Sequence, residues 1–218
     1  MKIGITTRII YEDGIRKQFV NEQYIDYVKS ANLIPIILPM TNNIDEVLDF
    51  CDAFLVTGGD DIDSLWYNEP HSPHLGSFDL EMDKHDKMVI EYAYKNNKPL
   101  FGICRGLQSI NAFLGGSLIQ HIEDNSHKSL KNGVPFEVIN NGSIFSKVYN
   151  KHSQINSFHH QAIKDLAPNF VICGYSNGLI EAIAHKEKPI FAVQWHPEKI
   201  MDEESINLIK EFAKIIKK

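Results

Sequence analysis

The 218-residue chain has little cysteine: Cys51, Cys104 and Cys173 form an odd set with no CxxC spacing. Such a set supplies neither a disulfide framework nor a zinc site, so reduced thiols are expected. No apolar run is long enough to span a bilayer, and the opening "MKIGITTR" is too short in apolar length for a signal peptide. A cytoplasmic protein without membrane contact is the expectation. A clustered basic surface is missing too: Lys and Arg number 22 against 28 Asp and Glu, a formal charge of −6. Nucleic-acid binding, which needs a concentrated positive footprint, is therefore not expected. The lysines from Lys210 to Lys218 read instead as a solvated helix end complementing the helix dipole. Repeats, low-complexity tracts and Pro/Gly-rich linkers are also lacking, and 43% of residues are hydrophobic. One domain over residues 1–218 is expected.

What is present alternates. Apolar runs bounded by turn residues recur at Ile3–Thr6, Leu33–Leu38, Ala53–Thr57 and Pro99–Ile103. These read as strands buried on both faces. Between them, helix-period faces are marked by Phe19, Val20, Tyr24, Tyr27, Val28 and Ala31, and by Met88, Val89, Tyr92 and Ala93. Strand alternating with helix predicts an α/β fold with a mostly parallel sheet covered on both sides. Later, "PFEVIN", "FVICGYS", "LIEAIAH" and "PIFAVQWH" follow without room for crossover helices. Asn177-Gly178 signals a type I′ hairpin and Lys186–Lys188 a second one, which together predict an antiparallel extension. Ile206, Ile209, Phe212, Ala213 and Ile216 mark a last helix.

The stretch "PLFGICRGLQ" sets Cys104 between Gly102 and Gly106, after a strand pattern and before a helix pattern. A lone cysteine is ordinarily a small buried hydrophobe. At a typical glycine frequency of ~7%, three cysteines would give such flanking by chance in about one chain in seventy. The G-x-Cys-x-G form matches a nucleophile elbow, in which glycines permit a sharp strand-to-helix turn. It puts the thiol at a helix N-terminus, where the dipole and unpaired amides favour thiolate and can hold an oxyanion. Arg105 is expected to add a positive charge.

A cysteine nucleophile needs a base with an acceptor behind it. His196 ends the strand-like run "AVQW", and Glu198 follows across Pro197. For the oxyanion, "VTGGDDID" offers Gly58 and Gly59, with Gly59 and Arg105 the expected amide donors. Asp60, Asp61 and Asp63 read as turn and capping residues, since they lack the further ligands of a calcium loop. In "NSFHHQ", substrate contact and a satisfied loop histidine are both open readings, while a metal would want more ligands at regular spacing. His71, His74, His85, His121, His127, His152 and His185 read as surface or structural. Trp66 and Tyr67 read as a local packing anchor or a base-stacking pair.

Taken together, "TGGDDID", "GICRGLQ", "NSFHHQ" and "VQWHPE" resemble the class I glutamine amidotransferase-like hydrolases, specifically the γ-glutamyl-γ-aminobutyrate hydrolase branch of peptidase family C26. The resemblance runs from Ile3 to the last helix. It implies a flavodoxin-like three-layer αβα fold and a Cys104–His196–Glu198 triad with oxyanion amides from Gly59 and Arg105. Gly58, Gln108, Ser157, Phe158, His159 and His160 are implied to approach a small-molecule γ-glutamyl substrate. The implied chemistry passes through a thioester and requires no metal or other cofactor. The chain departs from the family pattern at Asp63-Ser64 and Met82-Asp83, on the leaving-group side. The leaving group is accordingly either γ-aminobutyrate or, as in the related branch of capsule phosphoramidate formation, CDP-amidate. A glutaminase subunit feeding ammonia to a synthetase and a non-catalytic binding protein are the competing readings.

Overall fold

The structure, a computed structural model, describes residues 1–42, 44–123, 127, 130–151 and 153–217. In chain order the elements are β1 (Lys2–Thr6), β2 (Arg8–Glu12), β3 (Ile15–Phe19), α1 (Glu22–Ser30), β4 (Ile34–Leu38), α2 (Asp45–Phe50), β5 (Ala53–Val56), a 3₁₀ turn (Ser64–Tyr67), α3 (Leu80–Lys95), β6 (Leu100–Ile103) and α4 (Arg105–Phe113). They continue with β7 (Leu118–Ile119), β8 (Leu130–Pro135), β9 (Glu137–Val138), α5 (Ile144–Val148), β10 (Gln154–Ser157), β11 (Ala162–Ile163), β12 (Phe170–Ser176), β13 (Leu179–His185), β14 (Ile190–Val193), α6 (Pro197–Ile200) and α7 (Glu203–Ile216).

Eight strands form the central sheet in the order β4-β1-β5-β6-β14-β13-β12-β9. The first five are parallel and the last three antiparallel. Numbered among themselves, the parallel strands run 2-1-3-4-5, the flavodoxin-like order. Both hairpins after β12 form as the sequence predicts. Asn177 and Gly178 take φ of 48° and 81°, the two positive values a type I′ turn demands, and Ala184 pairs with Phe191 across the second turn.

Side chains alternate between two cores because successive Cβ atoms leave opposite faces of a strand. Ile3, Ile5, Leu55, Phe101 and Phe191 pack with α1, α5 and α7, whereas Phe54, Val56, Leu100 and Ala192 pack with α2, α3 and α4. Burial on both faces explains why these strands read as continuous apolar runs. Among the described residues, no helix is long and apolar enough to cross a membrane.

The segment before the first helix differs from the sequence expectation. Phe19 and Val20 are not on a helix face: Phe19 closes the β2–β3 hairpin, which turns at Asp13-Gly14 with φ of 52° and 74°. Asp-Gly is a hairpin signal, and two positive φ values in succession stop any helix there. The helix begins at Glu22.

Candidate active site

The carboxyl ends of the parallel strands converge on one cavity of about 260 Å³, lined by Arg8 after β1, Gly58 and Gly59 after β5, Cys104 after β6, and Phe158 and His196. Ligands of open α/β sheets bind at this end, beside the point where strand order reverses.

Cys104 sits between β6 and α4 with φ 53° and ψ −106°, a conformation that costs a non-glycine residue about 1–3 kcal/mol. Its amide donates to Val193 O at 2.8 Å, tying the elbow to β14. Gly102 and Gly106 are not among the residues with positive φ. Their function is close approach: a Cβ on Gly106 would lie 2.1 Å from Val56 O, and one on Gly102 would lie 2.7 Å from the Gly106 backbone. The strain therefore falls on the cysteine itself, and the glycines let α4 pack against β5 and β6.

His196 follows β14 and lines the same cavity as Cys104, both residues facing Gly58. Its Nδ1 is 2.6 Å from Glu198 Oε1, so the other ring nitrogen is left for the sulfur. Burial pushes the His196 pKa down, but the neighbouring Cys104 charge, followed by Glu198, outweighs it and raises the value to about 10. Burial likewise pushes the Cys104 thiol up, and His196, then His159, pull it below the ordinary thiol range. Both shifts favour the thiolate–imidazolium form of the pair. Gln194 Nε2 also points at the sulfur, 3.6 Å away.

Two residues that the sequence reading did not single out fix this geometry. Asn156 holds the backbone of His196 from both sides, accepting from its amide at 2.8 Å and donating to its carbonyl at 2.9 Å. Arg8 donates to Gly58 O at 2.6 Å and Thr57 O at 2.5 Å, which locks the glycine turn. The Gly58 amide is taken by the Tyr24 hydroxyl at 2.9 Å. Gly59 is exposed to the cavity instead.

The Arg105 guanidinium does not supply free charge to the thiol as expected. It is fully buried and pairs with Asp83 and Asp86, while Asp86 also takes Arg8 in a bidentate contact at 3.0 and 3.1 Å. A buried guanidinium needs such partners, so its charge is spent within the network. Only the Arg105 backbone, at the start of α4, remains relevant to an oxyanion.

Gln108 is buried and donates to Gln161 O and Gln194 Oε1 at 3.3 and 3.2 Å. Ser157 Oγ turns inward to His127 O at 3.1 Å, away from the cavity. Phe158 lines the cavity, edge-on to His196 and beneath Lys199. His160 pairs with Asp61 at 2.8 Å. Asp63 caps the 3₁₀ turn through Leu65 N, and Asp61 accepts from Gly76 N, as turn residues should. Trp66 packs edge-on to Phe113 and donates to Asp83, a packing anchor.

Of the histidines read as surface or structural, His85, His127 and His185 are buried; His152 lies outside the described residues. His127 joins His159 and Glu181 in a buried group whose ligand-type atoms lie within 4.8 Å of one another, a set able to hold a metal. Sequence spacing hides this group, because its members come from three distant segments.

The profile of the peptidase C26 family matches residues 3–198. The chain belongs to that family. It is 36% identical to the glutamine amidotransferase-like protein YvdE of Lactococcus lactis, over 83% of this chain and 80% of that one. It is 30% identical to the γ-glutamyl-CDP-amidate hydrolase of Campylobacter jejuni over the whole of both chains. In fold it is similar to a GMP synthase component from Thermoplasma acidophilum, with a TM-score of 0.73 and 22% identity, covering 100% of this chain and 94% of that one. The fold is that of the class I glutamine amidotransferases, and the C26 family is one of hydrolases.

Proposed function

We propose that this C26 protein hydrolyses the γ-glutamyl amide bond of a small conjugate, releasing glutamate and an amine or amidate. The observation that carries the reading is the strained Cys104 sharing one cavity at the strand ends with an imidazole that Glu198 backs.

In this mechanism the Cys104 thiolate attacks the γ-carbonyl carbon, and the amides of Gly59 and Arg105 hold the developing oxyanion. The His196 imidazolium then gives its proton to the departing nitrogen as the C–N bond breaks, leaving a γ-glutamyl thioester. Water, losing a proton to His196, attacks the thioester, and the thiolate departs with glutamate as product. Gly58, Gln108, Ser157, Phe158, His159 and His160 form the glutamyl side, with Gln108 and Ser157 acting through the positions they hold.

For the leaving group we favour CDP-amidate, in the setting of capsule phosphoramidate formation, over γ-aminobutyrate. A relative of that activity matching end to end supports it. The glutamine-hydrolysing GMP synthase component of Pyrococcus furiosus, 31% identical over 64% of this chain and 72% of that one, keeps a glutaminase as the second reading.

Glutamate release from γ-glutamyl-CDP-amidate, γ-glutamyl-γ-aminobutyrate and glutamine separates these readings. The amidate should give the highest kcat/KM, and Cys104→Ala should abolish release while keeping the fold. Preferential turnover of glutamine, stimulated by a partner protein, would assign the second reading; an active Cys104→Ala enzyme would remove the nucleophile.

A further inference from the structure

Glu181, on β13, is fully buried, and among the described residues neither of its carboxylate oxygens accepts a hydrogen bond. A buried carboxylate in that condition is strongly unfavourable unless a cation faces it. Two imidazoles stand near, and neither closes on it: His159 Nε2 lies 3.3 Å from Glu181 Oε1, and His127 Nδ1 lies 3.5 Å from the same atom. Elsewhere in the protein histidine and carboxylate do close up, with His196–Glu198 at 2.6 Å and His160–Asp61 and His71–Asp63 each at 2.8 Å. Those are the lengths of charge-assisted hydrogen bonds, and the distances around Glu181 are not.

The proton of His159 is engaged on its other side. Its Nδ1 is 2.9 Å from Gln161 O, a carbonyl that can only accept, so the neutral ring carries its proton there and keeps a lone pair on Nε2. That lone pair and the carboxylate then confront each other across 3.3 Å with no hydrogen between them. This is the separation of two ligands on one ion, since atoms ~2.0–2.1 Å from a tetrahedral zinc lie about 3.4 Å apart. A metal-bound histidine also gives its other N–H to a carbonyl or carboxylate, as His159 does. Ligand-type atoms of His127, His159 and Glu181, one from each, all lie within 4.8 Å of one another. The backbone already ties two of the segments together: His159 N and Ser157 Oγ both donate to His127 O, at 3.0 and 3.1 Å.

We propose that His127, His159 and Glu181 bind one divalent cation of the zinc class, through an imidazole nitrogen from each histidine and the carboxylate. Two imidazoles with a carboxylate suit zinc rather than magnesium or calcium, which take oxygen ligands. None of the three residues lines the cavity that holds Cys104, and the duty of the ion is structural. It fastens β13 to the segment from Asn156 to Gln161. In that segment Asn156 holds the His196 backbone and Phe158 forms part of the cavity wall. The site is independent of which reaction the cavity performs.

Because the group is buried, the test supplies the metal during synthesis. The full chain is expressed without a histidine tag in zinc-supplemented medium and passed over a chelating resin, and its metal content is read by plasma mass spectrometry. The wild-type protein should hold about one equivalent of zinc per chain, and Glu181→Gln and His159→Gln less than about a tenth. Cys104→Ala and His121→Asn should keep the full equivalent, which separates the site from the thiol and from the outer His74–His121–His160 group. Wild-type protein without bound zinc overturns the proposal. So does zinc that persists in either buried variant once folded, or that is lost from Cys104→Ala or His121→Asn. If neither buried variant folds, wild-type protein made in cobalt-supplemented medium decides. Visible bands of tetrahedral cobalt without thiolate charge transfer, unchanged in His121→Asn, support the site; thiolate charge transfer, loss in His121→Asn or absence of cobalt overturns it.

Discussion

His196 donates from Nδ1 to Glu198 Oε1 at 2.6 Å, a contact made across a single proline at the first turn of α6. Pro197 fixes its own φ and suits the first helical position, so the helix start turns the carboxylate back on the ring. Replacing Glu198 by Gln should keep this short path but remove the charge that supports the imidazolium. We expect kcat to fall by about 10²–10⁴, with the alkaline limb of the rate profile moving to lower pH, as steady-state kinetics on the folded variant would record.

The pH dependence of the wild-type enzyme follows from the same pair. In the proposed mechanism the active form carries Cys104 as thiolate and His196 protonated. As pH falls, the thiolate is protonated below the ordinary thiol range; as pH rises through about 10, His196 loses the proton needed by the leaving group. Activity should therefore decline on the alkaline side near pH 10 and on the acid side at a pH below the ordinary thiol range. In Cys104→Ala the main charge holding the imidazolium is gone, and His196 should titrate lower by NMR.

Asp86 bridges Arg8 and Arg105 without contact with solvent. Burial would raise its pKa, but Arg8, then Arg105, outweigh burial and lower it. A carboxylate whose folded pKa is depressed stabilises the fold above its unfolded value of 3.8 and stops doing so as pH falls through the folded value. Asp86→Asn leaves two buried guanidinium groups short of charge, and a loss of about 3–5 kcal/mol is expected in urea unfolding. Because Arg8 also grips the carbonyls of Thr57 and Gly58, turnover should fall in whatever fraction remains folded.

Much of this arrangement was legible in the sequence because it is local. The parallel strands announce themselves as apolar runs buried on both faces, and the elbow and His-Pro-Glu turn are contiguous motifs. Three features were not legible, each for a physical reason. Arg8 and Asp86 are 78 positions apart and become partners only when the β1–β2 junction packs against α3. Asn156 holds His196 through backbone atoms, which leave no side-chain pattern to read. Glu181 sits in "LIEAIAH", where strand alternation alone suggests a solvated face, yet tertiary packing buries it against two histidines. The missed β2–β3 hairpin is different, since Asp13-Gly14 was visible and the apolar Phe19 and Val20 drew the helix too far forward.

Two glycines near the thiol should respond to alanine in opposite ways, because their neighbours differ in kind. A Cβ on Gly106 meets the Val56 carbonyl, a backbone group in the central sheet that cannot swing aside. Gly106→Ala must therefore push α4 off β5, and a loss of about 3 kcal/mol or more is expected. A Cβ on Gly58 meets the Tyr24 hydroxyl at 2.8 Å and His196 Cε1 at 2.9 Å, both side-chain atoms able to move. Gly58→Ala should keep most of its stability while displacing the imidazole from the thiol, and a misplacement of this size can cost about 10²-fold in rate. Denaturant midpoints and kcat/KM measured on both variants would check the contrast. Equal losses of stability would show that the Gly58 turn is as rigid as the elbow, and that His196 is held there more tightly than its contacts with Asn156 and Glu198 imply.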